Sequence, residues 1–190
     1  RGAIRTVGSV LAVGVVVYTA MLLSDLASVP FWTRSYLPFV FLMSGISTGI
    51  SAALLGTVLS GGALTRTNHR FCLTDDAIIV AELLFIGGLL AFLAGSANPA
   101  AQLTYAELFG EYRLQFVYGV LVFGTGFPVV LSLTITGLHQ FTDFEESALG
   151  RRLLTGGYAA KYVLVLVGGF LLRYVVLFAA VKTPLVVPGI

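Results

Sequence analysis

Five runs of apolar residues follow one another along this chain, at roughly 4–24, 36–60, 76–97, 114–137 and 158–181. A helix of about 20 predominantly apolar residues crosses the hydrocarbon core of a bilayer. A single such run also suits a core helix of a soluble protein. Five within 190 residues do not, because a soluble surface must be solvated by charge. Only 11% of this chain is charged, against about a quarter in ordinary soluble domains. In hydrocarbon each segment must satisfy its own backbone polar groups, which leaves the helix. The chain therefore reads as an all-α integral membrane protein, one transmembrane helical domain over 1–190 with about five spans.

The remaining composition excludes several function classes. A net charge of +2, with no dense Lys/Arg run, offers nothing to nucleic acid. The lone Cys72 reads as a small apolar side chain and permits neither an internal disulfide nor a Cys-based cluster. His69 and His139 fall beside predicted helix ends, without the spacing of haem or zinc ligands, so no metal is expected in this chain. The chain opens on Arg1 and enters an apolar run with no cleavage site after it, so it is expected to be part of a longer polypeptide.

Basic residues in the connections suggest an orientation. Arg1, Arg5, Arg66, Arg70, Arg151, Arg152 and Lys161 fall on one side, against Arg34, Arg113 and Lys182 on the other. The positive-inside rule makes the first side cytoplasmic, so the chain starts inside and ends outside, and the connection at 25–35 faces outward. The segment 98–115 is a second outer connection, suited to lying along the interface. Gly45, Gly49 and Ser44 read as helix-packing positions, and Pro128 is expected to kink the fourth span.

Ionisable residues at bilayer depth need a partner or a purpose. Glu82 lies about two turns into the third span, and Arg173 lies past the middle of the fifth. They either pair with each other or each border a hydrated cavity. Asp75 and Asp76, after Thr74, read either as acids favoured by the first turn of a helix or as members of a polar route. Tyr18 reads either as an aromatic-belt residue or as a functional phenol, and Phe31, Trp32 and Tyr36 as belt residues.

A helix ending "VYTAMLLSDL", then "PFW", then "LPFVFLMSGISTG" resembles the NrfD/polysulfide reductase (PsrC-like) membrane-subunit family. The "DDAIIVAELL" and "GGFLLRYVVLFAAV" segments resemble that family's Asp…Glu-Leu helix and its last helix. Ala20 departs from the Gly that commonly follows Tyr-Thr there. The likeness covers nearly the whole chain, as the equivalents of helices four to eight of an eight-helix bundle.

The resemblance implies a multi-pass subunit of a prokaryotic inner membrane that exchanges electrons between menaquinone or ubiquinone and a partner iron–sulfur subunit. That partner in turn serves a catalytic molybdopterin or haem subunit. It implies Tyr18 as a quinone ligand, and Arg66, Asp76, Glu82 and Arg173 along a proton path. Phe31, Trp32 and Arg34 then shape the outer face and its docking surface. The alternatives are an anchor without its own quinone site, or a transporter or channel with a substrate path near Glu82, Pro128 and Arg173.

Overall fold

A computed structural model describes residues 2–26, 28–33, 35–60, 66–141 and 148–182, with side chains omitted within 66–72, 136–141 and 148–154 and at Gly2 and Arg5. Helix α1 (Gly2–Ser24) leads through a 3₁₀ turn at Pro30–Trp32 into α2 (Leu37–Leu59). Helix α3 (Arg66–Gly95) is followed by the short α4 (Pro99–Phe109). A π-helical stretch, Leu114–Gly126, continues directly into α5 (Phe127–Phe141), and α6 (Ala148–Phe178) completes the bundle. Among the described residues five helices are long and apolar enough to cross a membrane, as the five runs predict.

The boundaries differ from the apolar runs where the helix outlasts the hydrophobic stretch. Helix α3 begins at Arg66, ten residues before the run starting at 76. Hydropathy marks only the apolar part of a helix, whereas backbone hydrogen bonding carries on through "RTNHRFCLTD". Asp75 and Asp76 are therefore not first-turn acids, and the helix dipole does not account for them. Lys161 is likewise no connection residue: it lies well inside α6 and is fully buried.

Pro128 is accommodated rather than isolated. A proline in an α-helix clashes with the carbonyl four residues back and donates no hydrogen bond. Here the turns before it are widened to i→i−5 bonding, with the Phe127 N–H donating to the Val122 carbonyl. Thr125 Oγ1 also donates back to the carbonyls of Val120 (3.1 Å) and Leu121 (2.9 Å).

Close helix approach rests on glycine. A Cβ on Gly124 would lie 2.5 Å from the Gly168 Cα, so the fourth and fifth spans cross backbone against backbone. Gly88 admits the Tyr36 ring in the same way. The main core is apolar, built from residues such as Leu37, Phe41, Leu93, Phe116 and Val175.

The end of the bundle near the Pro30–Trp32 turn is stitched by polar contacts. Trp32 Nε1–H donates to the Val176 carbonyl at 2.8 Å, one of the carbonyls left over where α6 ends. Asn98 caps α4 through the Ala100 N–H at 2.9 Å, and Thr104 on α4 accepts the Val181 N–H at 3.1 Å. Helix α4 buries Ala100, Ala101, Thr104 and Leu108 along one stripe, so it packs onto the bundle.

Helix α1 differs from the rest. Its apolar face is open at Ile4, Val7, Leu11, Val15 and Leu22, and it packs chiefly on α2. A groove of about 490 Å³ runs between the two, past Val13, Val16, Gly45, Ile46, Gly49 and Leu54.

Gly168→Val should lower the thermal stability of the detergent-solubilised protein by at least the ~1–3 kcal/mol typical of overpacking, since backbone cannot yield as a side chain does. Gly49→Ala and Gly56→Ala, which meet nothing within 4 Å, should leave the melting temperature nearly unchanged.

Candidate functional site

A cluster of charged and hydroxyl side chains sits inside the bundle, where four helices meet. Asp75 and Asp76 come from α3, Lys161 from α6, Ser132 from α5, and Ser47 and Ser51 from α2. Ser47 stands near the midpoint of α2, whereas Asp75 and Asp76 lie at the start of the apolar span Leu73–Gly95, Ser132 near the end of Leu114–Ile135, and Lys161 six residues into Thr155–Phe178.

The contacts are short and directional. Lys161 Nζ lies 2.6 Å from Asp76 Oδ1 and 3.6 Å from Asp75 Oδ2, and donates to Ser132 Oγ at 3.4 Å. Ser132 donates to Asp76 Oδ2 at 2.5 Å. On the other side, Ser47 and Ser51 donate to the two oxygens of Asp75 at 2.7 and 3.3 Å. Lys161 and Asp75 are both 0% exposed. An isolated charge so completely buried is costly, and opposite charge with hydrogen bonds is what makes it tolerable.

Glu82 stands two turns further along α3, 4% exposed. Ser44 and Arg173 face it, and Asp75 adds a like charge from the same helix. Among the described residues no ion pair within 4 Å joins Glu82 to Arg173. The guanidinium Nη1 instead donates to the Gly169 carbonyl at 2.7 Å and the group lies 6.0 Å from the centre of the Phe41 ring. Ser44 Oγ is buried beside the Glu82 carboxyl. Gly169 makes the room: a Cβ there would meet Arg173 Nη1 at 3.3 Å and Ser44 Oγ at 3.4 Å, and would strike the Thr48 methyl. Ser44, Ser47 and Ser51, spaced i, i+3 and i+7, thus lay a buried row of hydroxyls on one face of α2, from Glu82 to Asp75.

The other sequence-derived residues fall elsewhere. Tyr18 is 66% exposed on the open face of α1 and lines neither the α1–α2 groove nor the hollow beside the 3₁₀ turn. That hollow, about 440 Å³, is walled by Ser24, Asp25, Pro30, Trp32, Thr33 and Phe92. Phe31 is buried in the core and wedges the turn from within, so its ring is not an exposed contact. Trp32 is half-buried and held by Val176. Arg34 and the Arg66 side chain lie outside the described residues.

The sequence singles out Asp76, Glu82 and Arg173, reads Ser44 as a packing position and Lys161 as a connection residue, and does not single out Ser47, Ser51 or Ser132. The signals were present. Lys161 is flanked by "GGYAA" and "YVLVLVGG", and three serines recur at helical spacing in an apolar run.

Such a site can hold and exchange protons: carboxyls, hydroxyls and an ammonium within hydrogen-bond reach, shielded from bulk water. Lys161→Met should cost about 3–5 kcal/mol in thermal unfolding, as when one partner of a buried pair is removed. Adding Asp76→Asn to that variant should recover much of the loss, and this non-additivity in a double-mutant cycle is the measurement.

The family model described as polysulphide reductase, NrfD, matches residues 2–185. A polysulfide reductase subunit of Wolinella succinogenes is 32% identical over 90% of this chain and 51% of its own length. Protein NrfD of Escherichia coli is 29% identical over 95% of this chain and 53% of its own, and the NrfD homolog of Haemophilus influenzae 27% over 87% and 49%. The chain spans about half the length of these curated relatives, and no solved structure matches it. On the strength of the family match and its five membrane-crossing helices, the chain belongs to the NrfD/polysulphide reductase family of multi-pass membrane proteins.

Proposed function

We propose that the chain is the quinone-reactive part of a membrane subunit in a respiratory oxidoreductase complex, passing electrons between a quinone and a partner iron–sulfur protein. Family membership supports the setting, since one relative is named as a component of polysulfide reductase. The observation that carries the chemistry is the polar column inside the spans: Lys161, Asp75, Asp76 and the serines at one level, Glu82 and Arg173 at the next. Reducing a quinone takes two protons with its two electrons, and oxidising a quinol releases them. A subunit that only anchored others could use the paired Lys161 cluster to set helix register, but would have no such use for Glu82, buried and without an ion pair among the described residues.

Tyr18 is the proposed quinone contact. Its phenol projects from the lipid-accessible face of α1, where a hydrophobic tail in the bilayer brings a quinone head, and it donates one hydrogen bond to a quinone oxygen. The iron–sulfur partner is proposed to dock at the rigid end built by the Trp32–Val176 and Thr104–Val181 contacts, facing outward, with the chain's start in the cytoplasm of a prokaryotic inner membrane. A substrate channel is the weaker reading: Pro128 is packed in a continuous helix, and Arg173 is tied to its own helix.

In the complete complex, Tyr18→Phe should cut quinol-linked electron transfer by roughly 10–100-fold, the worth of a hydrogen bond of about 1.5–3 kcal/mol to a group carrying charge. The exposed position predicts unchanged assembly. Full activity in the variant would remove Tyr18 from the site. Glu82→Gln should slow the same reaction while sparing electron transfer from an artificial donor to the partner subunits.

A further inference from the structure

Asp75 and Asp76 are neighbours in sequence yet hold different kinds of partner. Asp76 meets the ammonium of Lys161 at 2.6 Å and receives Ser132 on its other oxygen. An ammonium has protons to donate and no lone pair to accept with, so it demands a carboxylate opposite it. Asp75 is cradled by the hydroxyls of Ser47 and Ser51, with Lys161 more distant at 3.6 Å. A hydroxyl donates and accepts, so this cradle serves a carboxylate and a neutral carboxyl equally well.

Charge decides between the two states. Two carboxyls share one ammonium, and among the described residues no second cation comes within 4 Å of either. Among the described residues the next charged groups are Glu82 on α3, itself acidic, and Arg173 on α6, which donates to the Gly169 carbonyl. Among the described residues α5 contributes the Ser132 hydroxyl and α2 the Ser47 and Ser51 hydroxyls. With both aspartates ionised, a site in which Lys161 and Asp75 are 0% exposed and Asp76 only 14% would carry one negative charge that no described cation compensates, and one proton removes it.

We propose that Lys161 divides the pair, fixing Asp76 as the carboxylate and leaving Asp75 as the carboxyl that stores an exchangeable proton. Lys161 is a positioning residue, and the store empties when the Asp75 proton leaves for the hydroxyl row toward Glu82. The use of that proton in quinone chemistry rests on the function proposed above; where the proton sits does not.

Infrared difference spectra of the complete protein in lipid nanodiscs test the assignment. The carbonyl stretch of a protonated carboxyl should vanish in Asp75→Asn and persist in Asp76→Asn. Lys161→Met should gain a second such band, as Asp76 takes up a proton. The assignment is overturned by a band lost in Asp76→Asn but kept in Asp75→Asn, or by a Lys161→Met spectrum identical to wild type. Should Asp75→Asn fail to fold, Ser47→Ala serves: loss of its hydrogen bond should move the Asp75 band to higher frequency, and an unmoved band rejects the proposal. None of these spectra requires turnover, and Tyr18→Phe should leave the band in place, so failure of the quinone reading and failure of this one remain separate results.

Discussion

The ammonium of Lys161 has no access to water, and the bundle is arranged so that it needs none. A charge at that depth holds only if its partners arrive together: Asp76 and Asp75 from α3, Ser132 from α5, with α2 closing the far side through Ser47 and Ser51. One cluster thereby fixes the mutual register of four helices. Apolar contacts alone would leave that register loosely set, because lipid tails compete with side chains on nearly equal terms and provide no hydrophobic drive for helix association. A one-turn slip of α6 would move Lys161 by about 5 Å and strand every charge in the cluster.

Glycine makes the arrangement reachable. The crossing of Gly124 and Gly168 brings the fourth and fifth spans closer than any side chain permits, and Gly169, one residue on, opens the space in which Ser44 and Arg173 face Glu82. The widened turns before Pro128 belong to the same design. They relieve the proline's clash with the preceding turn, and α5 resumes with Ser132 aimed at Asp76 and Lys161.

The architecture was legible in the sequence because spanning helices are dictated by the solvent: length and hydropathy suffice, and the five runs became five helices. The family, too, was legible from ordered motifs over the chain. The site was legible only in part. Glu82 and Arg173 stand out as charges in apolar runs, but Lys161 was assigned to a connection because charge near the end of a run looks solvated. Hydropathy cannot say how far a helix extends beyond its apolar stretch, which also misplaced Asp75 and Asp76 at a helix start. Serines carry almost no hydropathic signal, so their role as carboxyl partners emerged only with the geometry.

The polar column and Tyr18 are on different helices, and Arg173 and α1 both come close to Gly45. That residue sits on α2 between the two: a Cβ there would lie 3.4 Å from the Val16 methyls on α1 and 3.8 Å from Arg173 Nη2 on α6. Val16 is about half a turn from Tyr18, so the guanidinium approaches the face of α1 opposite the one that carries the phenol. A larger residue at Gly45 would push α1 outward, opening the α1–α2 groove while leaving the Lys161 cluster untouched. Gly45 therefore serves more than helix packing, since it sets how near Arg173 comes to α1, the helix that bears Tyr18.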